Sequence, residues 1–152
     1  MTKTGNNLTA NQLYERAVAY ILKMPKTEKQ VRQWYARKTA DQSLIDEQIA
    51  RLRDYNLIND EDYAKMYVAG KRDKMGVQLI KTKLRQNGVA PAIITSAVAD
   101  IDDQRDLAVN LVTKYLRNKE RTPAVKSKLF RWLLSKGIEY DLSTEVIDEY
   151  WH

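Results

Sequence analysis

The stretch Val31-Arg32-Gln33-Trp34-Tyr35-Ala36-Arg37-Lys38-Thr39 returns 49 residues later as Ile80-Lys81-Thr82-Lys83-Leu84-Arg85-Gln86-Asn87-Gly88, and after another 49 as Leu129-Phe130-Arg131-Trp132-Leu133-Leu134-Ser135-Lys136-Gly137. Each copy sets two apolar or aromatic residues four apart, Val31 and Tyr35, Ile80 and Leu84, Leu129 and Leu133. That spacing puts both side chains on one face of a helix. The register continues outward through Ile45 and Ile94, through Ile49, Val98 and Ile147, and through Leu52, Ile101 and Tyr150. Two consecutive helices therefore keep their apolar spacing in each copy. Repeated helical units that cannot bury their faces alone must stack on one another. The chain is accordingly predicted to be all-α, with three tandem three-helix repeats in an elongated array.

Capping residues divide the array further. Thr27-Glu28-Lys29-Gln30 has the form of a capping box, and Ser43-Leu44-Ile45-Asp46 resembles one with a shorter acid. Asn59 precedes Asp60, Glu61 and Asp62, acids that favour the positive end of a helix dipole. Pro91 and Pro123 suit first helical positions, with Thr122 capping the latter, while Gly88 and Gly137 stand where a left-handed residue ends a helix. These marks predict helices over about 11–24, 27–38 and 43–55, then 60–75, 77–87 and 91–100, then 103–118, 123–136 and 142–151. The expected organisation is a flexible N-terminus at 1–10 and repeats at 11–58, 59–101 and 102–152.

Composition excludes several classes of function. The 152 residues include no cysteine, so neither a disulfide framework nor a thiolate zinc site is available. The longest apolar run, Ala17 to Leu22, falls far short of a bilayer span. A soluble, cytoplasmic protein is expected. The one histidine is His152, and no glycine-rich phosphate loop occurs. Asp60, Glu61 and Asp62 are consecutive on a helix and point in different directions, which suits capping better than metal binding. Neither catalysis nor a cofactor is predicted.

Charge follows the repeat. Residues 23–38 hold six basic and one acidic residue, 63–88 seven and one, and 114–136 eight and one. The intervening stretches 39–62, 89–106 and 137–152 are net acidic. Each repeat thus has a basic middle helix and an acidic third helix. Aligned middle helices would make a basic stripe able to follow a phosphate backbone or an acidic protein groove. With Ile80 and Leu84 inward, Lys81 and Arg85 lie one turn apart on an outward flank. Lys71 and Arg72 close the preceding helix, and Lys126, Lys128 and Arg131 supply the charge in the third repeat. These seven are the candidate contact residues. Trp34 and Trp132 occupy equivalent positions with Lys83 between them, and are read first as packing residues.

The segment from Leu52 to Ala64, followed by Tyr67-Val68, Lys71-Arg72, Gly76, Ile80, Leu84 and Gly88-Val89, resembles the signature of the RecX family. The resemblance covers about residues 13–151 and is strongest over 45–101. It implies a curved, right-handed-type array lodged in the groove of RecA filaments on single-stranded DNA. There it would act as a monomer to modulate, and in the main inhibit, RecA in recombination and DNA repair. Under that implication Asp60, Tyr63, Ala64, Gly76 and Leu84 are scaffold. Thr39 departs from the glycine expected at the end of the first middle helix. Two other readings fit the residues: a helix-turn-helix DNA-binding regulator and a helical protein-binding scaffold.

Overall fold

The structure, a computed structural model, describes residues 8–151. Over these residues the chain forms α1 (Ala10–Lys23), α2 (Glu28–Ala36), α3 (Gln42–Asp54), α4 (Asp60–Lys71), α5 (Val77–Gln86), α6 (Pro91–Ala97), α7 (Arg105–Leu116), α8 (Pro123–Ser135) and α9 (Tyr140–Asp148). Every substantial helix pairing lies inside one of three trios, α1 to α3, α4 to α6 and α7 to α9.

Each trio encloses its own core. Leu13, Ala17, Val31, Tyr35, Ile49 and Leu52 centre the first, Ala64, Ile80 and Leu84 the second, and Ala108, Val112, Leu129, Leu133 and Val146 the third. In the first core the Tyr35 hydroxyl donates to Gln48 Oε1 at 2.7 Å, and Gln48 Nε2 donates to the Ala10 carbonyl. Burial raises the Tyr35 pKa, so the phenol remains a donor. Small separate cores leave much surface outside. The accessible area of 9617 Å² exceeds the roughly 7,900 Å² expected of a compact monomer of this mass.

The caps account for most helix starts. Thr27 and Gln30 form the expected capping box, and Asn59 and Thr122 accept from Asp62 N–H and Val125 N–H. Gly88 and Gly137 have φ of 90° and 86° and end α5 and α8. Behind them Val89 N–H donates to the Leu84 carbonyl and Ile138 N–H to the Leu133 carbonyl, the Schellman pattern.

Three expectations need correction. Ser43 caps nothing, because Asp41 accepts from Leu44 N–H and starts α3. The fourth helix stops at Lys71 rather than at 75, and a turn carries the chain to Gly76. Within the stretch expected to be flexible, Leu8 is buried in the first core and Thr9 forms a capping box with Gln12. The remainder of that stretch, residues 1–7, lies outside the described residues.

The trios are joined through the ends of their middle helices. Thr27, the N-cap of α2, donates its hydroxyl to the carbonyl of Asn87, the C-cap of α5. At the equivalent positions Gly76, the N-cap of α5, donates its N–H at 2.7 Å to the carbonyl of Lys136, the C-cap of α8. A second bond accompanies each. Glu28 N–H donates to Asp60 Oδ1 at 3.0 Å, and Val77 N–H to Gln104 Oε1 at 2.9 Å. The N-terminal end of one middle helix thus meets the C-terminal end of the next, satisfying orphan donors and acceptors with their dipoles aligned. This places α2, α5 and α8 end to end as one row.

Candidate functional site

Two faces flank the row of middle helices. Residues two apart on a helix point about 200° apart. Trp34 and Lys38 therefore face the groove between α1 and α2, while Arg32 and Ala36 face the groove between α2 and α3. The same division holds in α5 and α8.

On the first face, lysines lie across aromatic rings. Tyr20 stacks on Trp34 with centroids 5.6 Å apart, Lys26 Nζ sits 4.9 Å from the Tyr20 centroid, and Lys38 Nζ sits 5.6 Å from that of Trp34. The third trio repeats this, with Tyr115 and Trp132 5.1 Å apart, Lys119 Nζ 3.6 Å from Tyr115 and Lys136 Nζ 5.5 Å from Trp132. In the second trio Lys71 Nζ lies 5.9 Å from Tyr67, and exposed Lys83 stands at the tryptophan position. Burial pushes the Tyr67 phenol up. The first-trio recess, about 390 Å³, is also lined by Arg16 and Lys23 and by no acid. None of these cations has an ion-pair partner among the described residues. A stem lying on a ring keeps its ammonium in water at a settled position, so the charges are held in place before any partner arrives.

The second face changes character along the row. In the first trio Arg32 is tied to Glu28 at 3.3 Å and to Asp46 at 2.8 Å, which holds its guanidinium above the usual arginine range. In the second, half-buried Lys81 and exposed Arg85 have no ion pair among the described residues. The third trio puts Phe130 and Leu134 there, beside Tyr140.

The candidate cations do not form one cluster. Lys71 belongs to the ring-bearing face; Lys81, Arg85, Lys126 and Arg131 belong to the other. Lys126 is paired with Asp148 at 3.2 Å, and Arg72 with Asp100 at 3.6 Å. Exposed Lys128 repeats the positions of Gln30 and Leu79, of which Leu79 packs against Gly137 of the following trio. Sequence reasoning passed over Lys26, Lys38, Lys119 and Lys136. Its available signal was a tryptophan followed four residues later by a lysine, at 34/38 and again at 132/136.

No group of metal-ligating side chains occurs among the described residues, and no helix among them is long and apolar enough to cross a membrane. What the arrangement offers chemically is fixed positive charge beside aromatic rings.

Comparison with known proteins agrees with the three-trio architecture. A family profile described as "RecX, second three-helix domain" matches residues 59–98. The regulatory protein RecX of Clostridium beijerinckii is 37% identical over 139 residues, which span 88% of this chain and 65% of that protein. Its counterpart in Clostridium perfringens strain 13 is 36% identical over 137 residues, 86% of this chain and again 65% of the relative. The chain thus spans slightly under two thirds of the length of these relatives. The crystal structure of RecX from Lactobacillus salivarius superposes with a TM-score of 0.77 at 27% identity, covering 92% of this chain and 95% of that one.

Proposed function

The chain belongs to the RecX family, and from that membership we propose that it regulates the RecA recombinase by binding along RecA filaments on single-stranded DNA and lowering their ATP hydrolysis. The observation that supports the reading is the ring-held row of cations recurring in all three trios. A helical filament presents its phosphates and acidic side chains periodically, and a periodic row of fixed cations can follow them without sequence readout. Lys71 lies in that row. Lys81, Arg85 and Lys128, with the ion-paired Arg72, remain as contacts toward neighbouring filament surface, while Lys126 and Arg131 stand at the groove beside Phe130. One monomer would engage several successive filament subunits, each trio meeting an equivalent surface.

The deciding experiment measures RecA ATPase on single-stranded DNA with the wild-type chain and with a variant carrying Lys38→Glu, Lys119→Glu and Lys136→Glu. The wild type should suppress turnover and the variant should not, while circular dichroism shows both folded. If the cations meet phosphate, the salt dependence of single-strand binding should fall by about 0.7 for each phosphate no longer neutralised. If they meet acidic recombinase side chains, single-strand binding should hold while suppression disappears. A folded wild-type chain with no effect on ATPase would overturn the reading.

A further inference from the structure

The groove between the middle and third helices is built twice on one plan and finished in two ways. In the first trio it is crossed by charge, since Arg32 reaches Glu28 and Asp46. The equivalent positions in the third trio carry Phe130, Lys126 and Thr144, so no charge joins positions 130 and 144, and the ion pair that links these two helices is Lys126 to Asp148, one turn away. What remains is a cavity of about 580 Å³ over Phe130, Tyr140 and the buried Ile147. The Tyr140 ring stands edge-on to Phe130, centroids 5.0 Å apart, yet it is 62% exposed. Leu134, one turn beyond Phe130, extends the apolar strip at 38% exposure. Around this floor stand two cations and one acid. Lys126 is held by Asp148, while Arg131 is exposed and has no ion pair among the described residues. The packing of the third trio does not account for so much apolar surface left open in one place.

We propose that this groove is a docking site for a partner protein's acidic segment, which inserts one aromatic or branched aliphatic side chain over Phe130 and Tyr140 while a neighbouring carboxylate pairs with Arg131. Charge complementarity selects this occupant: the floor takes an apolar anchor, and the free charge on the rim is positive. A nucleic-acid strand fits less well, because Asp148 stands on the rim and Tyr140 already occupies one approach to the Phe130 ring. The site lies on the opposite face of the middle-helix row from the ring-held lysines, and the proposal does not depend on the recombinase reading.

The test uses the whole chain and a phage-displayed library of random dodecapeptides. Selection runs on the wild type, with counter-selection on Phe130→Arg/Thr144→Asp, which installs the first trio's Arg32–Asp46 arrangement. Peptides bound by the wild type alone should carry acids around a single aromatic or aliphatic residue. In fluorescence anisotropy, replacing that residue by Ala should weaken binding about tenfold or more, as truncation of a buried anchor does. Arg131→Glu should weaken binding comparably. Tyr140→Ala, which removes an apolar ring from the groove at an exposed position, serves as a second disruption of the site should the double variant fail to fold. A library yielding no peptide that distinguishes wild type from both the double variant and Tyr140→Ala would overturn the proposal. So would basic rather than acidic selected peptides, or a dT oligonucleotide that competes for the groove as well as the selected peptide does.

Discussion

The joint between the first two trios and the joint between the last two occupy the same repeat positions and are made by different chemistry. At the first, a threonine hydroxyl and an aspartate carboxylate do the bonding, with Glu28 also paired to Arg53 at 2.7 Å. At the second, backbone meets backbone. Gly76 N–H donates to the Lys136 carbonyl and Gln78 N–H to the Gly137 carbonyl. A Cβ on Gly76 would run into the Gly137 carbonyl group, so only glycine allows that approach. Fully buried Thr27 fills the matching place in the first joint and reaches across with its side chain. The repeat thus keeps a geometric task, an N-cap satisfied by the following C-cap, while leaving open which atoms perform it. One consequence is that the first joint is ionic and the second neutral.

Substitutions can separate the two joints experimentally. The yardstick is a core position inside a trio. Leu84→Ala, at a fully buried site flanked by both joints, should cost about 3 to 5 kcal/mol in urea denaturation. An unchanged midpoint would show that the middle helix is rotated from its assigned face. Gly76→Ala should cost about 2 to 3 kcal/mol, because backbone rather than a yielding side chain meets the new methyl. Its signature should be local: amide exchange should rise at Gly76, Gln78 and Ile138 and not in the first trio. Thr27→Val should cost about 1 to 2 kcal/mol, since it removes both the α2 cap and the partner of the Asn87 carbonyl. Exchange should rise at Gln30, leaving the second joint untouched.

The ionic joint should also respond to pH, and the neutral one should not. Burial pushes the Asp60 carboxyl up, and the nearby Glu28 charge adds to this against the Glu28 N–H bond and Arg53. Raised in the folded state, the group binds its proton more readily there than in the unfolded chain. Its contribution is therefore fully present below the ordinary carboxylate value, near 4, and is lost as pH rises through the folded value. Asp60→Asn retains an oxygen to accept from Glu28 N–H and should flatten this part of the stability profile above about pH 4. Unfolding midpoints across that range check it, with Gly76→Ala as the variant whose slope should match wild type. The smallest stability effect belongs to Lys81→Glu/Arg85→Glu. These positions have no ion pair among the described residues, and surface charges contribute under about 1 kcal/mol each. A large shift in melting temperature would place them in a joint instead.

Much of this architecture was readable from spacing. The 49-residue register, the cap at Thr27 and the glycines at 88 and 137 are local patterns, and local patterns survive folding because a helix is closed by bonds four residues apart. The RecX signature likewise lies within one contiguous stretch. Less readable was the ordered start of the chain, where Leu8 is held by a core whose other members lie up to residue 58. Ser43 misled because two capping residues stood two apart, and only the observed bond to Leu44 N–H chose Asp41.

From the order of residues came three helical units, the limits of their helices to within a few residues, and the basic character of the middle ones. Which residues join the units, and which cations stay free, was settled by packing in three dimensions. Thr27 meets Asn87 across 60 residues, Arg32 is consumed by Asp46, Arg72 is turned toward Asp100, and Lys38 and Lys136 are laid on tryptophan rings. A charge shows its sign in the sequence, but its partner is chosen by whatever the packed neighbouring helix places within a few ångströms, and that choice is made only when the trios close.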